Sequence, residues 1–283
     1  MKKKSIFTKF ITVLVLAGVV IVAFHFVINP KARAQTKNTS ALAAKPLDAE
    51  QLGALQNNIN TTINANPDID VAVSIVDLGS GQTARYGITD PFEAASTAKL
   101  ITAADYLHHV EEGDASLNDQ INGSSAQYEL QQMIVVSDDN AWQAFNDDLG
   151  HPDLQSYASS IGLTDYNPDD NTMPANDIAL LLQKLYRGQL LDKAHTDLLL
   201  GYMSRANYTG YIEAEVPGGV KFYHKAGLLQ DRVHDAAIID NGKRAIILVI
   251  FTKNEDDEND PSPAQTQIIQ QITTSVLNAY SIN

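Results

Sequence analysis

Strand-forming sequence lies near both ends of this 283-residue chain, with more than a hundred residues of helical sequence between. Residues 71–78 are β-rich and alternate, Gly79-Ser80-Gly81 is a turn, and residues 82–87 return as a second strand. Residues 219–225, 235–240 and 243–253 carry three more, with Asn241-Gly242 as a two-residue hairpin signal between the last two. An isolated two-stranded ribbon is marginal in water, so both sets must share one antiparallel sheet. Leu47-Asp48-Ala49-Glu50 opens a helix to about Asn64, with Leu52, Leu55, Ile59 and Ile63 at helical spacing. Residues 264–280 form a terminal helix, and these two end helices can cover one sheet face. The block 96–205 reads as helices at 99–112, 125–136, 141–149, 153–161, from Pro174 onward, and 193–203. The expected fold is therefore α+β: a five-stranded antiparallel sheet flanked by helices, with an inserted all-helical lobe. Its α/β lobe spans 47–95 and 206–283, and its helical lobe 96–205.

Residues 1–34 read as a segment outside that fold. Lys2, Lys3, Lys4 and Lys9 give a basic start, an apolar run follows over 10–28, and Ala32-Arg33-Ala34 ends it. The run is long enough to span a bilayer, and its ending resembles a signal-peptidase site. A cleaved signal peptide and an uncleaved membrane anchor both fit. Either puts the domain outside the cytoplasm, because the lysines stay inside. Residues 35–46 are small and polar and read as a linker, reaching about 40 Å when extended. The net charge is −14, and the first 34 residues hold six basic and no acidic side chains, leaving −20 on the remainder. So acidic a domain repels nucleic acid and anionic lipid, which leaves residues 10–28 as its membrane contact. There is no cysteine, which excludes disulfides and thiolate metal sites.

Chemistry is suggested first by Ser96-Thr97-Ala98-Lys99. On a helix, positions three apart share a face, so a serine hydroxyl and a lysine amine point the same way. That suits a nucleophile with a built-in base. Alone the pattern is weak, arising by chance about once in a few hundred residues. Two further stations follow in order: Ser137-Asp138-Asp139-Asn140 in the helical block, and His224-Lys225-Ala226-Gly227 at the end of a strand.

These three stations, in this order and on this element pattern, resemble class A β-lactamases and the related penicillin-binding D,D-peptidases, whose motif set is S-x-x-K, S-D-N and K-T-G. The resemblance covers residues 47–283. Thr172-Met173-Pro174-Ala175 and Leu185-Tyr186-Arg187-Gly188 look like the family's segment after its omega loop, and residues 243–253 like its central strand. It implies acyl transfer through a serine ester, with a β-lactam or a D-alanyl peptide of the cell wall as substrate. By resemblance Ser96 is the nucleophile and Lys99 its base, Ser137 passes a proton to the leaving nitrogen, and Lys225 holds the substrate carboxylate. The backbone N–H groups of Ser96 and Leu228 form the oxyanion hole. Asp139, Asn140, Ala226, Gly227 and His234 are the expected substrate contacts. No cofactor and no metal are expected, and the chain is expected to be a monomer.

The departures from the pattern matter as much. The second station is Ser-Asp-Asp-Asn, so either Asp139 takes the asparagine's place or a one-residue shift brings Asn140 there. An ionised carboxylate accepts but cannot donate, unlike an amide. Ala226 replaces a hydroxyl-bearing residue. Residues 163–171 contain no glutamate where class A β-lactamases carry the one that activates the deacylating water; Asp169 and Asp170 are more naturally turn and cap residues. Slow deacylation is expected in consequence. A non-catalytic wall-binding module of the same fold is the alternative. His224 reads as flanking the third station, and His234 as a strand-edge residue. Three-histidine zinc ligation is discounted for want of spacing. Residues 255–261 form an acidic loop without EF-hand spacing.

Overall fold

The computed structural model describes residues 44–254 and 263–282. The leader, most of the linker and the acidic loop lie outside the described residues. Among the described residues no helix is long and apolar enough to cross a membrane.

The chain opens with α1 (Ala49–Asn64), started by a reciprocal cap in which the Asp48 carboxylate accepts from Gln51 N and the Gln51 side chain accepts from Asp48 N. The hairpin β1 (Asp70–Asp77) and β2 (Thr83–Gly87) follows, then a short β3 (Phe92–Glu93). A 3-10 turn over Ala95–Ala98 leads into α2 (Lys99–Glu112), which Gly113 ends in the left-handed conformation. After the small ribbon β4 (Gln120–Ile121) and β5 (Ser124–Ser125) come α3 (Ala126–Gln131), a π-helical turn over Gln132–Val136, α4 (Asp139–Leu149) and α5 (His151–Ser160). Next are β6 (Thr172–Met173), α6 (Ala175–Tyr186) and α7 (Lys193–Met203). The chain returns through β7 (Lys221–Leu229), β8 (Arg232–Asp240) and β9 (Ala245–Lys253), and closes with α8 (Pro263–Ala279).

The five long strands form one antiparallel sheet in the order β2-β1-β9-β8-β7. The last strand of the chain therefore pairs with the first, Asp70 opposite Lys253 and Asp77 opposite Ile246. Val71, Val73 and Ile75 point to one face, where Leu55 and Ile59 of α1 and Ile268, Ile272 and Val276 of α8 join them in one core. Ala72 and Val76, four residues apart on the opposite face, belong to a second core that runs on through α2, α4 and α6. The helical block is thus not walled off from the sheet; its core is continuous with one sheet face.

Three expectations need correction. β7 does not end at the third station but continues through it to Leu229, paired along its length with β8. The tight turn between β8 and β9 is one residue later than Asn241-Gly242: Asn241 N donates to Arg244 O, so Gly242 and Lys243 form the loop. Asn241 closes it by accepting from Lys243 N and Arg244 N. His234 is not at a strand edge, because β8 is an interior strand.

Candidate active site

The turn that carries Ser96 is held from two sides. Phe92 and Glu93 pair with Met173 and Thr172, and Ala94 N donates to Asn171 O at 2.7 Å. Asn171 also donates through its side chain to Ala95 O at 3.2 Å. Between these anchors Ala95 takes a left-handed backbone conformation, φ 49°, uncommon for a residue with a side chain. On the other side lies β7, the edge strand of the sheet. A methyl group placed on Gly227 would stand 3.1 Å from Ala94 O, the Ala95 Cβ and Ser96 N. Gly227 therefore lets the strand approach the serine turn, which is a packing role and not a side-chain contact with substrate.

Ser96 is half-buried, and Lys99, one turn on, is wholly buried. The Lys99 ammonium donates to Ser137 O at 2.7 Å and to Asp139 Oδ1 at 2.5 Å, with Ser137 Oγ at 3.4 Å. It lies 5.4 Å from the centre of the Trp142 ring. Trp142 Nε1 donates to Thr102 Oγ1, which donates to Asn146, so α2 and α4 are cross-braced behind the lysine. Burial lowers the Lys99 pKa, opposed by the hydrogen bond and charge of Asp139. No hydrogen bond joins Ser96 Oγ to another side chain among the described residues.

Ser137 follows the π-helical turn in a left-handed conformation, φ 63°. Asp138 then caps α4, accepting from Ala141 N at 2.8 Å. This settles the register of the second station. Asp139 faces Lys99, while Asn140 sits exposed at the next helical position. The Asp139 side chain is 83% exposed, so its second oxygen is open to whatever enters the cleft.

Lys225 reaches Ser137 from the sheet. Its Nζ donates to Ser137 Oγ at 2.8 Å and to Ala226 O at 3.0 Å. Burial, and then the charge of Lys99, lower its pKa to about 7. Ser137 is thus the point where both lysines meet. Leu228 continues the same edge strand, half-buried.

Two expected contacts are not in the cleft. The Ala226 methyl is buried in the core beneath α1 and α8, because alternate residues of a strand face opposite ways and Lys225 takes the cleft side. His234 is fully buried against Phe92 and Phe251. Its Nδ1 accepts from Thr252 N at 3.2 Å and its Nε2 donates to Glu93 O at 2.9 Å, which defines the neutral ring. Burial lowers its pKa to about 4. His224 points away from Lys225 and pairs with the buried Asp235 at 3.0 Å. Burial alone would lower its pKa, but Asp235 outweighs this and lifts it.

The segment before β6 supplies no carboxylate to the site. Asp169 is exposed and paired with His151 at 2.7 Å, and Asp170 accepts from Asn167 at 2.9 Å. Asn171 instead presents a buried Oδ1 without a hydrogen bond among the described residues. Trp142 and Asn171 were not singled out from sequence. Trp142 had a signal, three positions after Asp139 and so on the same helix face.

Residues 54–280 match the family model described as the beta-lactamase enzyme family. The chain belongs to that family. With it the chain is a serine hydrolase of the β-lactamase type. Among solved structures, a mutant of PBP-A, an acyl-enzyme complex with penicillin G, is 24% identical with a TM-score of 0.76, over 81% of this chain and 97% of that one. A β-lactamase from Sphaerobacter thermophilus is 21% identical with a TM-score of 0.73, over 82% and 98%. A variant of the class A β-lactamase of the last common ancestor of Gram-negative bacteria is 19% identical with a TM-score of 0.74, over 81% and 98%. Identities this low carry the shared fold and no more. Among curated proteins none matches.

Proposed function

We propose that this β-lactamase-family chain is an exported acyl-enzyme that takes a β-lactam or a D-alanyl amide of the cell wall onto Ser96 and releases it slowly. The observation that carries the proposal is the convergence of Lys99 and Lys225 on Ser137, beside the turn that bears Ser96. Ser96 Oγ attacks the amide carbonyl, with Lys99 accepting its proton once Lys99 is neutral. The backbone N–H groups of Ser96 and Leu228 are assigned to the developing oxyanion. The carbon–nitrogen bond then breaks as Ser137 delivers a proton to the leaving nitrogen, and Lys99 restores it. Lys225 polarises the Ser137 hydroxyl and offers its charge to a substrate carboxylate.

Deacylation needs a base beside the ester. Asn171, whose amide oxygen is buried in the segment before β6, can accept a hydrogen bond but cannot take a proton. Without that base, the ester loses a factor of about 10²–10⁴ in hydrolysis. The domain is assigned to residues 47–283 and to the extracytoplasmic side, either secreted or held at the membrane by residues 10–28.

Intact mass after exposure to a penicillin tests the proposal. A lasting adduct on the wild type, absent from Ser96→Ala, is the expected result, and rapid turnover without accumulation overturns slow release. The Asp139 carboxylate on Lys99 favours a second reading, a wall-binding module without turnover. Penicillin binding that survives Ser96→Ala unchanged would establish it.

A further inference from the structure

Asp105 and His109 lie four residues apart on α2 and so project from one helix face. α5 brings Asp153 against them. His109 Nε2 is 2.7 Å from Asp153 Oδ2 and 3.7 Å from Asp105 Oδ1, and the three ligand atoms all lie within 4.8 Å of one another. Asp105 is only 1% exposed, and neither of its oxygens has a hydrogen-bond partner among the described residues. A carboxylate taken out of water without hydrogen bonds is costly, and such groups are normally paired or bound to a cation. The neighbouring Tyr157 hydroxyl is likewise buried and unpartnered. The cluster is reachable, since the side chains of His109 and Asp153 are 28% and 44% exposed. A cavity of about 170 Å³ beside them is lined also by Asp114 and Asp148, which draw cations toward it.

We propose that Asp105, His109 and Asp153 form a binding site for a divalent transition-metal ion, with Zn²⁺ as the best fit. One imidazole and two carboxylates suit zinc, whereas calcium prefers about six to eight oxygens and magnesium an octahedron of oxygens with several waters kept. Tetrahedral zinc with ligands at about 2.1 Å separates them by about 3.4 Å. The His109–Asp153 contact has to open, and the His109–Asp105 contact to close, each by less than about 1 Å. The fourth position is left to water. Asp105 is six residues beyond Lys99, about 9 Å along α2, so the ion braces the helices behind the site and takes no part in acylation. A second acidic cluster, Glu111, Asp192 and His195, lacks this character. There His195 Nδ1 lies 2.9 Å from Glu111 Oε1, and Asp192 caps α7, so no buried group is left over.

Calorimetric titration of the full chain with ZnCl₂ after chelator dialysis tests the site, alongside thermal melting. One Zn²⁺ per chain is expected, with melting raised by about 5–10 °C when free zinc reaches about a hundred times Kd. Asp105→Asn and His109→Gln should weaken binding at least tenfold, and His195→Gln should leave it unchanged. Asp105→Asn keeps the shape and removes the buried charge. It should therefore melt above wild type without zinc and below it with saturating zinc. Zinc binding that is absent, that is equally tight in Asp105→Asn, or that is lost in His195→Gln overturns the proposal. So does an Asp105→Asn variant that melts lower without zinc, which would mark Asp105 as bonded through buried water.

Discussion

At the scale of single residues the site turns on one substitution, a carboxylate at Asp139 where the family motif has an amide. The Asp139 carboxylate sits 2.5 Å from Lys99 Nζ and works against the lowering of that lysine's pKa by burial. Removing the charge lets the Lys99 pKa fall further, so the neutral base is present at lower pH. Asp139→Asn is accordingly expected to move the rising limb of the acylation pH profile to lower pH. Acylation at neutral pH should rise by roughly tenfold, a fraction of what general-base assistance supplies. Stopped-flow acylation with a chromogenic cephalosporin across pH 5–9 checks both. A profile that stays in place would mean that Lys99 is not the base. Which of Asp139 and Asn140 meets Lys99 was open in the sequence, because both follow Ser137 within a turn. The Asp138 cap decides it, by starting α4 at Asp139 itself.

At the scale of elements, the serine turn depends on the segment that lacks the glutamate. Asn171 bonds Ala94 N through its backbone carbonyl and Ala95 O through its side chain, in the stretch where Ala95 is held at positive φ. Asn171→Ala keeps the first bond and loses the second. It should cost about 1 kcal/mol of stability, read as a lower urea midpoint at unchanged slope, and slow acylation without changing the stability of the adduct. Much at this scale was legible beforehand. The bounds of α2 and α7 follow from Gly113 and from apolar spacing, and the sheet follows from the marginality of short ribbons. Strand ends were less so: β7 runs past Gly227 because β8 offers a partner as far as Arg232, which only pairing reveals. The face of Ala226 was missed for the same reason, whereas His234 takes the Lys225 side but is covered by Phe92 and Phe251. Proximity in sequence to a lysine does not say which side of a sheet a residue takes.

At the scale of the whole molecule, His234 couples folding to acid. Its pKa is lowered by burial from 6.5 to about 4 in the folded chain. Between these values the unfolded chain binds the proton and the folded one resists it. The His234 contribution is therefore intact above about pH 6.5 and is lost as pH falls toward 4, about 3 kcal/mol in all. His234→Phe, among Phe92 and Phe251, should flatten that part of the stability curve while lowering its plateau, since Glu93 O and Thr252 N lose their partner. Urea unfolding at pH 7 and pH 4.5 measures both. The group of Asp105, His109 and Asp153 belongs to this scale too. It joins two helices through a spacing that no short motif announces.

The pairing of β1 with β9 has a consequence for the nascent chain. Residues 70–77 find their central partner only in residues 245–253. Until the ribosome has delivered that last strand, β1 has only β2 beside it, a ribbon too small to persist. Contacts between such distant parts of a chain also form slowly. Synthesis thus has to pass residue 245 before the sheet can close, and until then residues 70–87 have no lasting partner beside them.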